Sequence, residues 1–257
     1  DQQQNELERL AALRSLAERQ PLAQEWVIKL LEDDSMLLRV AAMDLASELL
    51  LGGVAANQRA ELLLIARRCL TVRNPHLQRA AVELVGLHGN VSDLSFLEKL
   101  LKATPPNDVV LRQTLKIALR NQLRAASGSH EIWDGVPSEE MAMIMQGTEH
   151  PGVADALLLF LSEYPQSDHR ESMLAQAVSQ GGPDAVPECV AVARRIAGDD
   201  LSSQQKYMNV LFENQTPGAS PVPSALRAWG LEIVDRKLHA FEKHIPEVAW
   251  SVDRGDL

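Results

Sequence analysis

The side chains able to do chemistry in this 257-residue chain are two cysteines, seven histidines and 35 carboxylates. Their spacing decides whether they can build a site. His76, His88, His130, His150, His169, His239 and His244 form neither His-Glu-x-x-His nor Glu-x-x-His, the spacings that put two metal ligands on one helical face. His239, Glu242 and His244 cluster near the end, but a gap of five sets the histidines apart around a helix. That is the pattern of a solvated helix end rather than a metal centre. Asp168-His169 beside Ser167 and Ser172 has the composition of a nucleophile triad, without the strand-turn-helix elbow that exposes a reactive serine. Glu32-Asp33-Asp34 is an acidic turn with too few ligands at loop spacing for calcium. Cys69 and Cys189, each within a helical pattern, read as buried free thiols. Arg254-Gly255-Asp256 is a chance tripeptide in a terminal tail. The expectation is a chain with no catalytic residue, no cofactor and no metal.

Composition points the same way. The chain is 46% hydrophobic but only 4% aromatic, which suits helices packed through Leu, Ala and Val. A net charge of −10 argues against nucleic acid, because phosphate binding needs clustered Lys and Arg. No apolar run approaches the roughly 18 residues of a membrane-spanning helix. A chain beginning at Asp1 reads as a piece of a longer protein.

The elements that would position any site repeat. "RNPHLQRAAVELVGLHGN" (73–90) opens on a turn and continues as a helix. "DDSMLLRVAAMDLASELL" and "NDVVLRQTLKIALRNQL" share its register, a polar starter with an Arg five positions on. The pairs are Asp34 and Arg39, Asn74 and Arg79, Asn107 and Arg112. Weaker echoes begin at His150 and Asp184, so successive starts lie 40, 33, 43 and 34 residues apart. That is the length of a two-helix unit, which buries its apolar stripe only by stacking on neighbours. First helices are expected near 22–32, 57–71, 92–103, 137–147 and 168–180. Second helices are expected near 35–51, 75–88, 107–125, 151–164 and 184–197, and a last pair near 199–214 and 222–241.

The predicted fold is therefore all-α, a right-handed α-solenoid of HEAT-like helix pairs. Residues 1–21 form a capping helix and 22–126 three clear pairs. An inserted loop follows at 127–136, then degenerate pairs at 137–241 and a tail at 242–257. Asp34, Arg39, Asn74, Arg79, Asn107 and Arg112 are expected to form a structural ladder between repeats, with a row of anion-binding arginines as the alternative. Ser92 and Asp93 are candidate helix caps. Trp133, in the longest break of the helical pattern, is expected either to seal an edge or to anchor a partner.

The polar starter, Arg and following small residue resemble HEAT repeats. Three stretches, "NPHLQRAAVELVGLHGN", "LLKATPPNDVVLRQTLKIALRNQL" and "VPSEEMAMIMQG" with "DALLLFLSEY", resemble something narrower. They are similar to the helical region of large bacterial membrane-bound dehydrogenases that carry a haem-binding domain. The resemblance implies a β-propeller before the helices, a c-type cytochrome module after them, and an extracytoplasmic location. Neither cysteine here begins the Cys-x-x-Cys-His of haem attachment, so no haem site carries over. The functional expectation is a non-catalytic scaffold for interdomain or protein–protein contact. The alternatives are a nucleic-acid-binding protein resembling HEAT-like DNA glycosylases, and a non-catalytic segment of a haem dehydrogenase.

Overall fold

Alternating apolar positions at helical spacing produce what they predict. The computed structural model describes residues 2–19, 23–126, 133, 135–215 and 222–242, and among them the regular structure is helical, with no strand. The helices are α1 (Gln2–Arg19), α2 (Gln24–Leu31), α3 (Met36–Gly52), α4 (Ala56–Cys69), α5 (Pro75–His88) and α6 (Leu94–Ala103). They continue as α7 (Val109–Ala125), α8 (Glu139–Met145), α9 (Pro151–Glu163), α10 (Arg170–Ala197), α11 (Leu201–Glu213) and α12 (Ser224–Glu242). A 3-10 turn at Val91–Asp93 leads into α6. The chain divides into two compact units, residues 1–132 and 133–257. The division falls within the loop expected at 127–136.

In the first unit, α1, α3, α5 and α7 pack side by side in sequence order, and α2, α4 and α6 each pack on the helix that follows. The apolar register explains both sets. Val27, Leu62 and Leu97 lie 35 residues apart, as do Leu31, Ala66 and Leu101, and all six are buried. In the second helices, Leu38, Leu77 and Leu111 each sit three residues after the N-cap and are buried. Leu10 and Leu13 of α1 close the end of this core against Leu38.

In the second unit, α9 packs between α8 and α10, and α11 and α12 pack on α10 and on each other. Separate helices were expected at 168–180 and 184–197. They are found end to end within the range of α10, divided at Gly182, where the backbone leaves helical geometry with φ at +66°, a conformation that favours glycine. Pro183 opens the second of these helices, where its missing N–H costs no bond, and Pro187 lies one turn further on.

Helices α5 and α7 approach each other closely at Gly86. A Cβ added at Gly86 would lie 2.5 Å from Ala118 Cβ and 2.7 Å from Ala118 Cα. Alanine normally favours a helix interior by about 1 kcal/mol over glycine. Here the expected sign is reversed. Gly86→Ala should destabilise the protein by about 1–3 kcal/mol, as overpacking does, read as a lower urea midpoint at unchanged helicity. A midpoint equal to or above wild type would contradict the close packing.

Candidate functional site

A helix leaves its last carbonyls without partners, and in this chain the next helix supplies them. The N-caps of α3, α5 and α7 are Ser35, Asn74 and Asp108, each accepting from backbone N–H groups of the first turn. Four residues after each cap stand Arg39, Gln78 and Arg112. Each donates to a carbonyl eight residues upstream. Arg39 Nε reaches Leu31 O at 3.0 Å, Gln78 Nε2 reaches Leu70 O at 3.1 Å, and Arg112 Nη1 reaches Thr104 O at 2.9 Å. Arg112 also reaches Leu101 O at 3.1 Å, and Arg39 reaches Cys69 Sγ on the following helix at 3.4 Å. The bonds to carbonyls close each helix pair on itself.

This geometry corrects the sequence register. Asp34 and Asn107 were expected to start the second helices, but the caps are the next residues, Ser35 and Asp108. The true spacing is four, which leaves Arg79 one residue out of line. One residue turns a helix by about 100°, so Arg79 points away from the turn. It pairs with Glu83 on its own helix at 3.0 Å, with both side chains about half exposed. Arg79 is not part of a ladder. Gln78 holds its place.

Apart from Arg39 with Cys69, the contacts between successive pairs use other residues. Arg67 of α4 makes a two-pronged ion pair with Asp93 before α6, at 2.7 and 2.9 Å. Asp93 is buried, and its carboxylate also accepts from Asn90 N at 3.0 Å. Asn90 caps the 3-10 turn with its side chain, Asp93 completes that capping box and stands at the N-cap position of α6 without a side-chain bond to its first turn, and Ser92 is the cap of neither element. Within the second pair, Arg59 of α4 donates to His88 O at the end of α5 at 2.7 Å. The buried Gln122 of α7 donates to Val85 O and Gly86 O at 2.7 and 3.2 Å. In the second unit two glutamines of α10 hold the α8–α9 turn. Gln176 donates to Met145 O and Thr148 O and accepts from Gly147 N. Gln180 donates to Thr148 O and accepts from His150 N. Sequence reading passed over these glutamines because they look like solvated helix surface. Of the glutamines, only Gln78 carries a positional signal, four residues past the Asn74 cap.

The outer surface of the α1–α3–α5–α7 row carries two open grooves at equivalent register. One, of about 310 Å³, lies between α1 and α3, lined by Leu13, Arg14, Ala41, Asp44, Leu45 and Glu48. The other, of about 190 Å³, lies between α5 and α7 and is lined by Glu83, Gly86, Leu87, Thr114, Ile117 and Asn121, with Ala118 at its floor. Charge links them across the row. Burial, and then the negative charges of Glu83 and Glu48, hold the Asp44 carboxyl above its usual range, against the opposing pull of Arg14 and Arg79.

The residues with chemical potential are otherwise tied into the scaffold. Ser172 Oγ donates to His169 O and Ser167 Oγ accepts from His169 N, so those serines organise a turn rather than face an imidazole. Cys69 and Cys189 are buried and free, and burial raises the Cys189 thiol to about 12. His239 stands exposed on α12 beside Asp235. Among the described residues no group of three or more His, Cys, Asp or Glu side chains is placed to hold a metal, and no helix is long and apolar enough to cross a membrane. Trp133 is half-buried. His130, most of the 127–136 loop, His244 and Arg254-Gly255-Asp256 lie outside the described residues. No family model matches the chain, and no curated protein or solved structure matches it either.

Two outcomes follow from this geometry. Arg39→Ala should cost about 1–3 kcal/mol of stability, because it strands a carbonyl as well as removing a charged donor. Arg79→Ala should stay within about 0.5 kcal/mol, the scale of an exposed i,i+4 pair. Equal losses in chemical denaturation would contradict the corrected register. The second outcome concerns His88, buried with Nε2 2.9 Å from Ser47 Oγ. Burial, then the Arg59 charge, hold its pKa below the ordinary 6.5. The fold therefore favours the neutral ring. Its contribution is complete above about pH 6.5, the unfolded value, and is lost as pH falls through the lower folded value. The stability difference between wild type and His88→Gln should shrink below about pH 6.5. A difference that stays constant from pH 8 to 5 would show that the ring does not titrate with folding.

Proposed function

We propose that this chain is a non-catalytic helical-repeat scaffold, built of right-handed HEAT-like pairs, that binds a protein partner or orients a neighbouring domain. The observation that carries the reading is the repeated pair itself. Ser35, Asn74 and Asp108 start second helices whose fourth residue locks the preceding turn. The buried and part-buried side-chain contacts of the first unit described above hold helices in register. What the register leaves outward in the first unit is a grooved, partly apolar surface suited to another polypeptide. Asp44, Glu48 and Glu83 on that surface disfavour the glycosylase-like reading, because they repel phosphate. The resemblance to haem dehydrogenases fits a helical segment whose redox chemistry belongs to other modules of a larger bacterial protein.

Site-specific photo-crosslinking tests this reading in cells that naturally make the protein. A photoreactive residue at Leu87 or Ile117, on the α5–α7 groove, should give a discrete protein adduct or an intramolecular crosslink to a flanking domain. The same residue at Leu64, exposed on α4, should give neither. Absence of discrete products from all three positions would contradict the scaffold reading.

A further inference from the structure

The face that carries the grooves is divided in character. On its α5–α7 side two large apolar side chains stand at the rim of a groove, Leu87 at 61% exposure and Ile117 at 49%. The floor is Gly86 and Ala118, so the groove is shallow and narrow where the helices meet. At about 190 Å³ it falls below the roughly 300–1,000 Å³ typical of small-molecule pockets. It has room for a single large side chain from a polypeptide. On its α3 side the face is acidic. Asp44, Glu48 and Glu83 interact across α3 and α5. Arg79 is already paired with Glu83, and Arg14 faces Asp44. Three carboxylates, Asp44, Glu48 and Glu83, thus stand against two arginines, Arg14 and Arg79, which leaves this side of the face with an excess of acid.

Resting on the scaffold reading above, we propose that this face docks a basic amphipathic helix of a partner protein. One leucine- or phenylalanine-sized side chain enters the α5–α7 groove between Leu87 and Ile117. A lysine or arginine of the same helix meets Asp44, Glu48 and Glu83. The spacing follows from geometry. Packed helices lie about 8–10 Å apart, and a helix rises 1.5 Å per residue. A helix crossing the row covers one such spacing in about five to seven residues, and seven is the step in that range that keeps two side chains on one face. The apolar anchor and the basic residue therefore stand about two turns apart, on one face. Covering Leu87 and Ile117 supplies the apolar contact. The cation supplies specificity and orientation, because an acidic helix is repelled at the same place.

The test is a selection from a displayed library of helix-forming peptides, with the full chain as target. Expected is enrichment of peptides carrying Leu or Phe and, six to eight residues away, Lys or Arg. Their binding, by fluorescence anisotropy, should weaken at least tenfold with Ile117→Lys and with the Asp44→Asn, Glu83→Gln double variant. Circular dichroism checks that each variant is folded, and Leu87→Lys replaces Ile117→Lys if that variant is not. No enrichment, enrichment of peptides without a basic residue, or binding indifferent to these substitutions would overturn the proposal. The two readings fail separately. A crosslinked partner held at Leu87 or Ile117 through an acidic or non-helical segment removes the docked basic helix and leaves the scaffold.

Discussion

The structure depends on how a helix hairpin satisfies the carbonyls at the end of its first helix. Those groups lie at a partly buried turn, where an unpaired acceptor costs about as much as a lost hydrogen bond. In three successive pairs the answer is one side chain, four residues past the cap of the second helix. Because the donor sits on the second helix and the acceptor ends the first, the bond fixes both the angle of the turn and the register of the pair. Arginine and glutamine serve equally, as Arg39, Gln78 and Arg112 show. What the position requires is a long donor, not a charge.

Once each pair is closed, its neighbours can only stack. Small residues then set how closely they do so, as Gly86 against Ala118 shows. Polar residues between pairs are few but strongly placed. The Arg67–Asp93 ion pair spans two repeats with one buried partner, and Gln122 reaches back to the end of α5. The same close packing that uses small side chains inside leaves shallow grooves outside. The outward face of the row is therefore a by-product of the internal register, and its grooves recur at equivalent positions of α3 and α7.

Much of the helix layout was legible from apolar spacing and turn residues. Asn74-Pro75 marks the start of α5, and His150 does cap α9 through its ring nitrogen. The ladder was misread because two starters were taken one residue early, Asp34 for Ser35 and Asn107 for Asp108. All three residue types in such runs make good caps, and only the hydrogen bonds choose among them. That single offset promoted Arg79 and hid Gln78. Asp93 does take part in capping, accepting from Asn90 N, but its carboxylate also binds Arg67, a partner 26 residues away that local pattern cannot reveal. The acidic and apolar division of the outer face was invisible for a similar reason. Asp44, Glu83 and Ile117 belong to three helices, and only packing brings them onto one surface.

The central claim is that the side chain four residues past the cap holds the pair by donating to the preceding turn. Gln78→Met tests it most directly, since methionine keeps the length and apolar stem while removing the donor. The account predicts a loss of about 1–2 kcal/mol in urea unfolding, with the stranded Leu70 carbonyl as the cause, and recovery to near wild type in Gln78→Arg. If Gln78→Met unfolds at the wild-type midpoint, the turn does not depend on this bond and the account is wrong.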